Sequence, residues 1–233
     1  MTSMYKKTII ICLVFSCVMV VLGFITSDAI TVFTENAPVI DRSIVIIDAG
    51  HGGVDGGATS CSGVLESKTN LKIALKLRDV CNLLGIKTVM IRTDDISVYT
   101  SGETIAAKKV SDLKERVRIV NETDNCTLVS IHQNYFHDSR YAGAQVFYAN
   151  SAESKSLADS MQKAIIAHLN KGNNRTIKKS EGVYLLDQIN KTGILIECGF
   201  ISNEEENARL QSKEYQQKLS VVIGSVLNLY LNT

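Results

Sequence analysis

Residues 43–53 read SIVIIDAGHGG, an apolar run rich in β-branched residues that leads into a glycine-rich loop around His51. A continuous apolar run of this length is typical of a strand that is covered on both faces, as in parallel sheets. The sequence therefore predicts a buried strand over Ser43–Asp48, with a polar loop directly at its carboxyl end.

Helix-like and strand-like segments alternate along the rest of the chain. Apolar residues recur at helical spacing in some segments and form short continuous runs in others. The further predicted strands are Lys87–Arg92, Leu128–His132, Gln145–Tyr148, Val183–Leu186 and Gly193–Glu197, and the predicted helices are Glu66–Leu84, Asp112–Asn121, Leu157–Leu169 and Lys213–Leu231. This order predicts one α/β domain over residues 43–233, with a largely parallel, mixed sheet of about six strands flanked by helices.

The composition limits the classes of protein to which the chain can belong. Of its 233 residues, 45% are hydrophobic and 21% are charged, which excludes disorder, collagen and a small disulfide scaffold. From Ile30 onward there are 23 basic and 23 acidic residues, so we expect no nucleic-acid partner. No CxxC pair occurs, which argues against a structural zinc knuckle. The pairing of four cysteines stays open: Cys61, Cys81, Cys126 and Cys198.

The first 29 residues have the layout of an export segment. Lys6 and Lys7 precede Thr8–Ile25, which has 18 residues without a charge. Small residues before position 30 favour cleavage of a signal peptide after Ala29, but the apolar segment is also long enough for an uncleaved N-terminal membrane anchor. Residues 30–42 are expected to form a polar tether. Because the lysines precede the apolar segment, we expect the remaining chain to lie outside the cytoplasm.

Four polar residues lie at the ends of predicted strands and helices. His51 follows the first strand, and His132 and Glu197 end two later strands, while Glu66 opens the first long helix. Because ligands of such sheets bind beyond the carboxyl ends of the strands, we expect these side chains to converge on one edge. Two imidazoles and a carboxylate suit a catalytic zinc ion, and a second carboxylate suits a general base. On the residues alone, either glutamate can be the ligand.

The glycine-rich loop over 50–57 has a second interpretation. Such a loop can cradle a phosphate, but this one lacks the spacing and the lysine of a P-loop, and the GxGxxG pattern is absent. The residues therefore favour a zinc hydrolase over a nucleotide-binding protein.

Five blocks of sequence follow one another in a recognisable order: IDAGHGGVDGGA at 47–58, GVLESKTNL at 63–71, LKERVRIVN at 113–121, VSIHQN at 129–134 and IECGFISN at 196–203. Together they resemble the zinc-dependent N-acetylmuramoyl-L-alanine amidases of amidase type 3. The resemblance extends over roughly residues 43–231.

The resemblance implies roles for the candidate residues and a substrate. It implies that His51, Glu66 and His132 bind one Zn²⁺ ion and that Glu197 is the catalytic acid and base. The substrate it implies is peptidoglycan, cut at the amide between N-acetylmuramic acid and L-alanine of the stem peptide. Asn134, on the same strand as His132, is a candidate substrate contact.

Three residues depart from the family pattern, and none of them is an implied zinc ligand. Ala49 and Thr192 stand where proline is frequent, and Gln133 replaces a common small residue. Because Gln133 follows a ligand directly, we expect it to alter substrate preference.

The chain looks most like the spore-cortex, germination-specific amidases of the CwlD type. Between the third strand and the later ones, only residues 143–186 are available, which leaves no room for the inhibitory helix of many cell-division amidases. This subtype implies stem-peptide removal that leads to muramic-δ-lactam during sporulation, and we hypothesise an activating or targeting partner protein. The alternatives are a vegetative or division amidase, a peptidase of the stem peptide, and a silent amidase-like module that binds peptidoglycan or a partner.

Overall fold

Six strands form one sheet with helices on both faces in the computed structural model, which describes residues 43–232. The strands are β1 Ile44–Ala49, β2 Thr88–Met90, β3 Cys126–Asn134, β4 Gln145–Tyr148, β5 Lys178–Lys179 and β6 Thr192–Phe200. The helices are α1 Glu66–Leu83, α2 Ile105–Glu122, α3 Ala152–His168, α4 Tyr184–Gln188, α5 Glu204–Gln211 and α6 Lys213–Leu231.

The strand order in the sheet is β2-β1-β3-β6-β4-β5. Four of the five neighbouring pairs are parallel, and β4 runs antiparallel to β6. The predicted α/β fold with a largely parallel, mixed sheet is therefore confirmed. Because β1, β3 and β6 are adjacent and parallel, their carboxyl ends lie at the same edge of the sheet.

The sheet separates two apolar clusters. Val45 and Ile47 of β1 pack with α1, α3 and α6 on one face, whereas Ile46 packs with α2 and α4 on the other. Successive side chains of a strand point to opposite faces, so a strand between two helical layers must be apolar at every position. This explains the continuous apolar run at 44–47, in which Val45, Ile46 and Ile47 are fully buried.

Capping side chains begin four of the six helices in the described part of the chain. Each hydroxyl or amide oxygen accepts a hydrogen bond from a backbone N–H of the first turn, which satisfies one of the donors that a helix start leaves free. The capping residues are Thr104 for α2, Ser151 for α3, Asn203 for α5 and Ser212 for α6.

One strand prediction was wrong. Val183–Leu186 was expected to be a strand, but residues 184–188 form α4. The exposed pair Lys178–Lys179, β5, is the strand that was not predicted. Leu185 and Leu186 are both buried in the same apolar cluster, which consecutive residues of a strand cannot achieve. A short apolar run does not distinguish a strand from a helical turn.

Two helices are longer than predicted, and one was not predicted. α2 begins seven residues before the expected Asp112. This early start was not predicted because most of the first two turns is exposed and carries no apolar periodicity. α3 begins at Ala152 rather than at Leu157. α5 is a short, strongly polar helix.

Within residues 43–232, no helix is both long enough and apolar enough to span a membrane. The predicted export segment and tether lie outside the described residues. Among the four cysteines of the described residues, Cys61 is exposed, the other three are buried, and none forms a disulfide.

Candidate active site

The loop after β1 carries His51 in a left-handed backbone conformation with φ of 60°. This conformation is uncommon for residues other than glycine. Two glycines of the loop leave room for the site: a Cβ on Gly50 would lie 2.1 Å from Nε2 of His132, and one on Gly57 would lie 2.7 Å from Oε2 of Glu66. Larger residues at these positions would fill the space between the candidate ligands.

Two buried arginines hold the backbone of this loop. Arg92 donates through Nε to the carbonyl of Ala49 at 2.8 Å and through Nη2 to that of Gly50 at 3.1 Å. Arg116 of α2 donates through Nη1 to Ala49 at 3.1 Å and through Nη2 to the carbonyl of His51 at 2.8 Å. Three consecutive carbonyl groups are thereby fixed, which holds the left-handed turn in place.

The charge of Arg116 is balanced by two buried carboxylates. Its guanidinium pairs with Asp48 at the end of β1 and with Asp112 one turn earlier on α2, the latter at 2.6 Å. Ser130 also donates to Asp48 at 2.6 Å. Burial opposes ionisation of Asp48, but the charges of Arg116 and His132 and the hydrogen bonds from Ser130 and Arg116 together outweigh it and hold the pKa of this carboxyl below its ordinary value.

Glu66, the first residue of α1, lies between the two histidines. Its Oε2 is 3.2 Å from Nε2 of His51, and its Oε1 is 3.1 Å from Nδ1 of His132. Burial raises the pKa of Glu66, but the hydrogen bonds and charges of both histidines outweigh it and lower the value far below the ordinary range. Glu66 is therefore an ionised, buried carboxylate.

These three residues offer donor atoms that all lie within 4.8 Å of one another, so the group could hold a metal ion. Two imidazole nitrogens and one carboxylate oxygen are a donor set used for catalytic zinc. The space kept free by Gly50 and Gly57 fits the same interpretation. The structure thus brings together the residues that the sequence placed at one edge, and their roles as zinc ligands stay a prediction.

Asp55 orients His51, although its position in the sequence alone did not identify it as a site residue. Its Oδ2 lies 2.8 Å from Nδ1 of His51, and its Oδ1 lies 3.2 Å from Nζ of Lys109 on α2. Burial lowers the pKa of His51, but the hydrogen bonds to Asp55 and Glu66 outweigh it and raise the value to about 9. A carboxylate that pairs with the second nitrogen of a metal-binding histidine fixes the tautomer of that histidine. In the sequence, the only indication of this role was that Asp55 follows His51 by four residues in the same loop.

Glu197 stands beside His132 in the register of β3 and β6. Its Oε2 is buried and has no hydrogen-bond partner among the described residues. Burial raises the pKa of Glu197 to about 7, with the charge of Glu66 adding to this rise and those of His132 and His51 opposing it. The carboxyl group can therefore take up or release a proton near neutral pH.

A narrow cleft of about 100 Å³ opens beside the two histidines on the α2 and α4 face of the sheet. Its lining combines polar groups of the β1 loop with apolar groups of α4 and β6. Among the lining residues are His51, Asp55, Lys109, His132, Tyr184 and Leu195.

The two polar residues after His132 have different surroundings. The side chain of Gln133 is 3% exposed and donates to Asn70 on α1, so it does not face the cleft. Its effect on substrate preference stays a prediction. Asn134 is partly exposed at the end of β3, and its carbonyl accepts from the N–H of Ile201 at 2.9 Å. Its role as a substrate contact stays a prediction.

Known proteins match both the sequence and this structure. The profile of the N-acetylmuramoyl-L-alanine amidase family matches residues 45–227. The germination-specific N-acetylmuramoyl-L-alanine amidase of Bacillus subtilis is 34% identical over 183 residues, which cover 78% of this chain and 76% of that protein.

Two solved structures extend the comparison. The CwlD amidase from Clostridioides difficile, solved in complex with the GerS lipoprotein, is 37% identical with a TM-score of 0.78, covering 82% of this chain and 99% of that one. The amidase AmiC2 of Nostoc punctiforme is 28% identical with a TM-score of 0.70, covering 82% of this chain and 98% of that one. The chain therefore belongs to the Amidase_3 family of N-acetylmuramoyl-L-alanine amidases, enzymes that act on peptidoglycan.

Proposed function

We propose that this amidase is a zinc enzyme in which His51, Glu66 and His132 hold one Zn²⁺ ion and Glu197 transfers the proton. The observation that carries the proposal is the convergence of the three donor groups within 4.8 Å, with Glu197 at the neighbouring register position. When bound, zinc supplies Lewis-acid activation of water and of the scissile carbonyl group.

Glu197 serves both halves of the reaction. Its carboxylate accepts a proton from the attacking water molecule, and the neutral carboxyl group then donates that proton to the nitrogen of L-alanine as the C–N bond breaks. A pKa of about 7 suits both transfers, because the group exchanges its proton near neutral pH. The products are a free lactyl carboxylate on muramic acid and a stem peptide with a free amino terminus.

The cleft beside His51 and His132 supplies a place for the substrate at these groups. Tyr184 and Leu195 give this cleft an apolar surface against which the substrate can pack. We include Asn134 as a substrate contact, since it ends the strand that carries His132.

The similarity to a germination-specific amidase and to a CwlD amidase supports a role in the spore cortex. In this role the enzyme removes stem peptides so that muramic-δ-lactam can form after deacetylation. It acts outside the cytoplasm: residues 1–29 are a signal peptide or an anchor in contact with the membrane, residues 30–42 are a tether, and residues 43–233 are the catalytic domain. The lipoprotein bound to the CwlD relative supports an activating or targeting partner.

The bond specificity is tested with the chain from Ile30, which contains all described residues, loaded with zinc and incubated with purified peptidoglycan. Mass spectrometry is expected to detect stem peptides with a free L-alanine amino terminus and muramic acid without peptide. The same protein after zinc removal with a chelator is the control and is expected to release neither. Peptides cut inside the stem would identify a peptidase. Binding without any product would mean either a silent module or a missing activator, and would move the search to partner proteins.

The cortex role needs a separate measurement. Spores that lack the gene are expected to contain cortex without muramic-δ-lactam, and restoring the gene is expected to restore the lactam. Normal lactam content in the mutant would favour a vegetative or division amidase. A pull-down from sporulating cells that consistently returns no protein would count against the partner.

A further inference from the structure

Behind the three candidate ligands lies a pair of buried amide side chains, Asn70 of α1 and Gln133 of β3. Asn70 is fully buried, one helical turn after Glu66. Its Nδ2 donates to Oε1 of Glu66 at 3.2 Å and to the carbonyl of Gly50 at 3.1 Å. Its Oδ1 accepts from Nε2 of Gln133 at 3.1 Å. Together these two side chains form the amide pair.

The surroundings of Asn70 allow its amide only one orientation. The Glu66 carboxylate and the Gly50 carbonyl accept hydrogen bonds and cannot donate them, so the NH₂ end of Asn70 must face both. Rotating the amide by 180° would place its oxygen against two acceptors. Gln133 reinforces the orientation, because its NH₂ group meets the oxygen end of Asn70.

Gln133 acts on Glu66 at a second point. Its backbone N–H donates to Oε1 of Glu66 at 3.1 Å, the same oxygen that Asn70 contacts and that lies 3.1 Å from His132. The amide pair therefore contacts the Glu66 carboxylate directly. It also holds the carbonyl of Gly50, which precedes His51, and it includes Gln133, which follows His132. In this way the pair is linked to all three candidate ligands.

Side chains alternate along β3, so Gln133 points away from the cleft that His132 faces. A small residue would leave Oδ1 of Asn70 without this donor in a buried environment. The glutamine thus has a reason to be present that does not involve contact with the substrate.

We propose that Asn70 and Gln133 are positioning residues, which hold the Glu66 carboxylate in the orientation in which it binds the metal ion together with His51 and His132. The inference rests on the proposed zinc function. Hydrogen-bond partners behind a metal ligand typically change metal affinity by 10- to 100-fold when they are removed.

Zinc affinity, measured by competition with a chromophoric chelator at one fixed pH, tests the proposal independently of turnover. Asn70→Asp places an acceptor against the Glu66 carboxylate and is expected to weaken zinc binding by at least about tenfold. Gln133→Ala leaves the orientation of Asn70 less fixed and is expected to weaken binding by about threefold to tenfold. Unfolding of each zinc-free variant is recorded in parallel.

The matched control is Gln162→Ala. Gln162 is an equally buried glutamine on α3 that bonds the backbone of Ala144 and Val146, away from the candidate ligands. This variant is expected to lose stability as Gln133→Ala does and to bind zinc as the wild type does. Equal loss of stability with unequal loss of zinc affinity separates positioning from a general structural role.

A double variant tests whether the two amides act in series. Because the Gln133 side chain acts through Asn70, Asn70→Ala combined with Gln133→Ala is expected to weaken zinc binding no more than Asn70→Ala alone. Additive losses would overturn this coupling. Wild-type zinc affinity in all the variants would overturn the proposal while leaving the amidase function intact, and a wild type that binds no zinc would overturn both.

Discussion

The two halves of the site are held in different ways. His132 and Glu197 lie on adjacent central strands, where the sheet register pairs them. His51 lies on a loop in a left-handed conformation and is supported by two buried arginines and by Asp55. The first half is placed by backbone pairing, and the second is placed by polar side chains.

This difference predicts which part of the site depends on individual side chains for its geometry. A strand position is fixed by many backbone hydrogen bonds, so replacing one side chain there removes chemistry and leaves the geometry intact. A loop position depends on a few side-chain contacts, so replacing one of them displaces the ligand. The two halves should therefore respond differently to substitution, in stability, turnover and metal affinity.

The largest effect is expected from Arg116→Met. It leaves Asp48 and Asp112 without their partner in a buried site, and breaking a buried pair in this way typically costs about 3–5 kcal/mol. Urea unfolding measures the loss. The control Arg118→Met removes an exposed arginine of the same helix and is expected to change stability by less than about 0.5 kcal/mol. Equal free energies of unfolding in the two variants would show that the loop half does not depend on the Arg116 ion pairs.

The next effect is expected from Glu197→Gln on the strand half. The amide has the shape of the carboxyl group but cannot accept the proton, so kcat/KM is expected to fall by at least about 100-fold. Zinc content and the circular dichroism spectrum should stay those of the wild type, because the β3–β6 register is unchanged. Retained turnover would remove Glu197 from the proposed proton transfer.

A smaller effect is expected from Asp55→Asn, which weakens the support behind His51. We expect zinc affinity to fall by about 10- to 100-fold, while the fold is retained. Asp159→Asn is the control, since Asp159 also pairs with a lysine, Lys163, but on the exposed face of α3. A Kd for zinc that is equal in both variants would show that the loop histidine is held by the backbone alone.

The sequence predicts the position of the strand half of this site, but it predicts the loop half only in part. His132 and Glu197 end apolar runs, and the parallel arrangement of such runs brings their ends together. The sequence also shows His51, but the residues that hold it, Arg92 and Arg116, are separated from it by 41 and 65 positions. A buried arginine carries no local signal, because charged residues are ordinarily expected at the surface.

The same reasoning explains the errors in the predicted secondary structure. The central strands and α6 carry continuous or periodic apolar residues, and their positions were predicted closely. Val183–Leu186 was misread as a strand because its few apolar residues suit either structure. α5 was missed because its residues are mostly polar, and its start depends on the cap from Asn203.

The smallest effect expected concerns pH and the strand half. The pKa of Glu197 is raised from 4.5 to about 7 in the folded protein, so the neutral carboxyl group favours folding. This contribution is fully present below pH 4.5 and is lost as the pH rises through 7, where the buried group ionises. Between about pH 6 and 8, the zinc-free wild type should therefore lose about 1–2 kcal/mol relative to zinc-free Glu197→Gln, a difference measurable by urea unfolding at each pH. A difference that does not vary with pH would mean that Glu197 is solvated in the folded protein, and that the strand half places its carboxylate without the burial that raises its pKa.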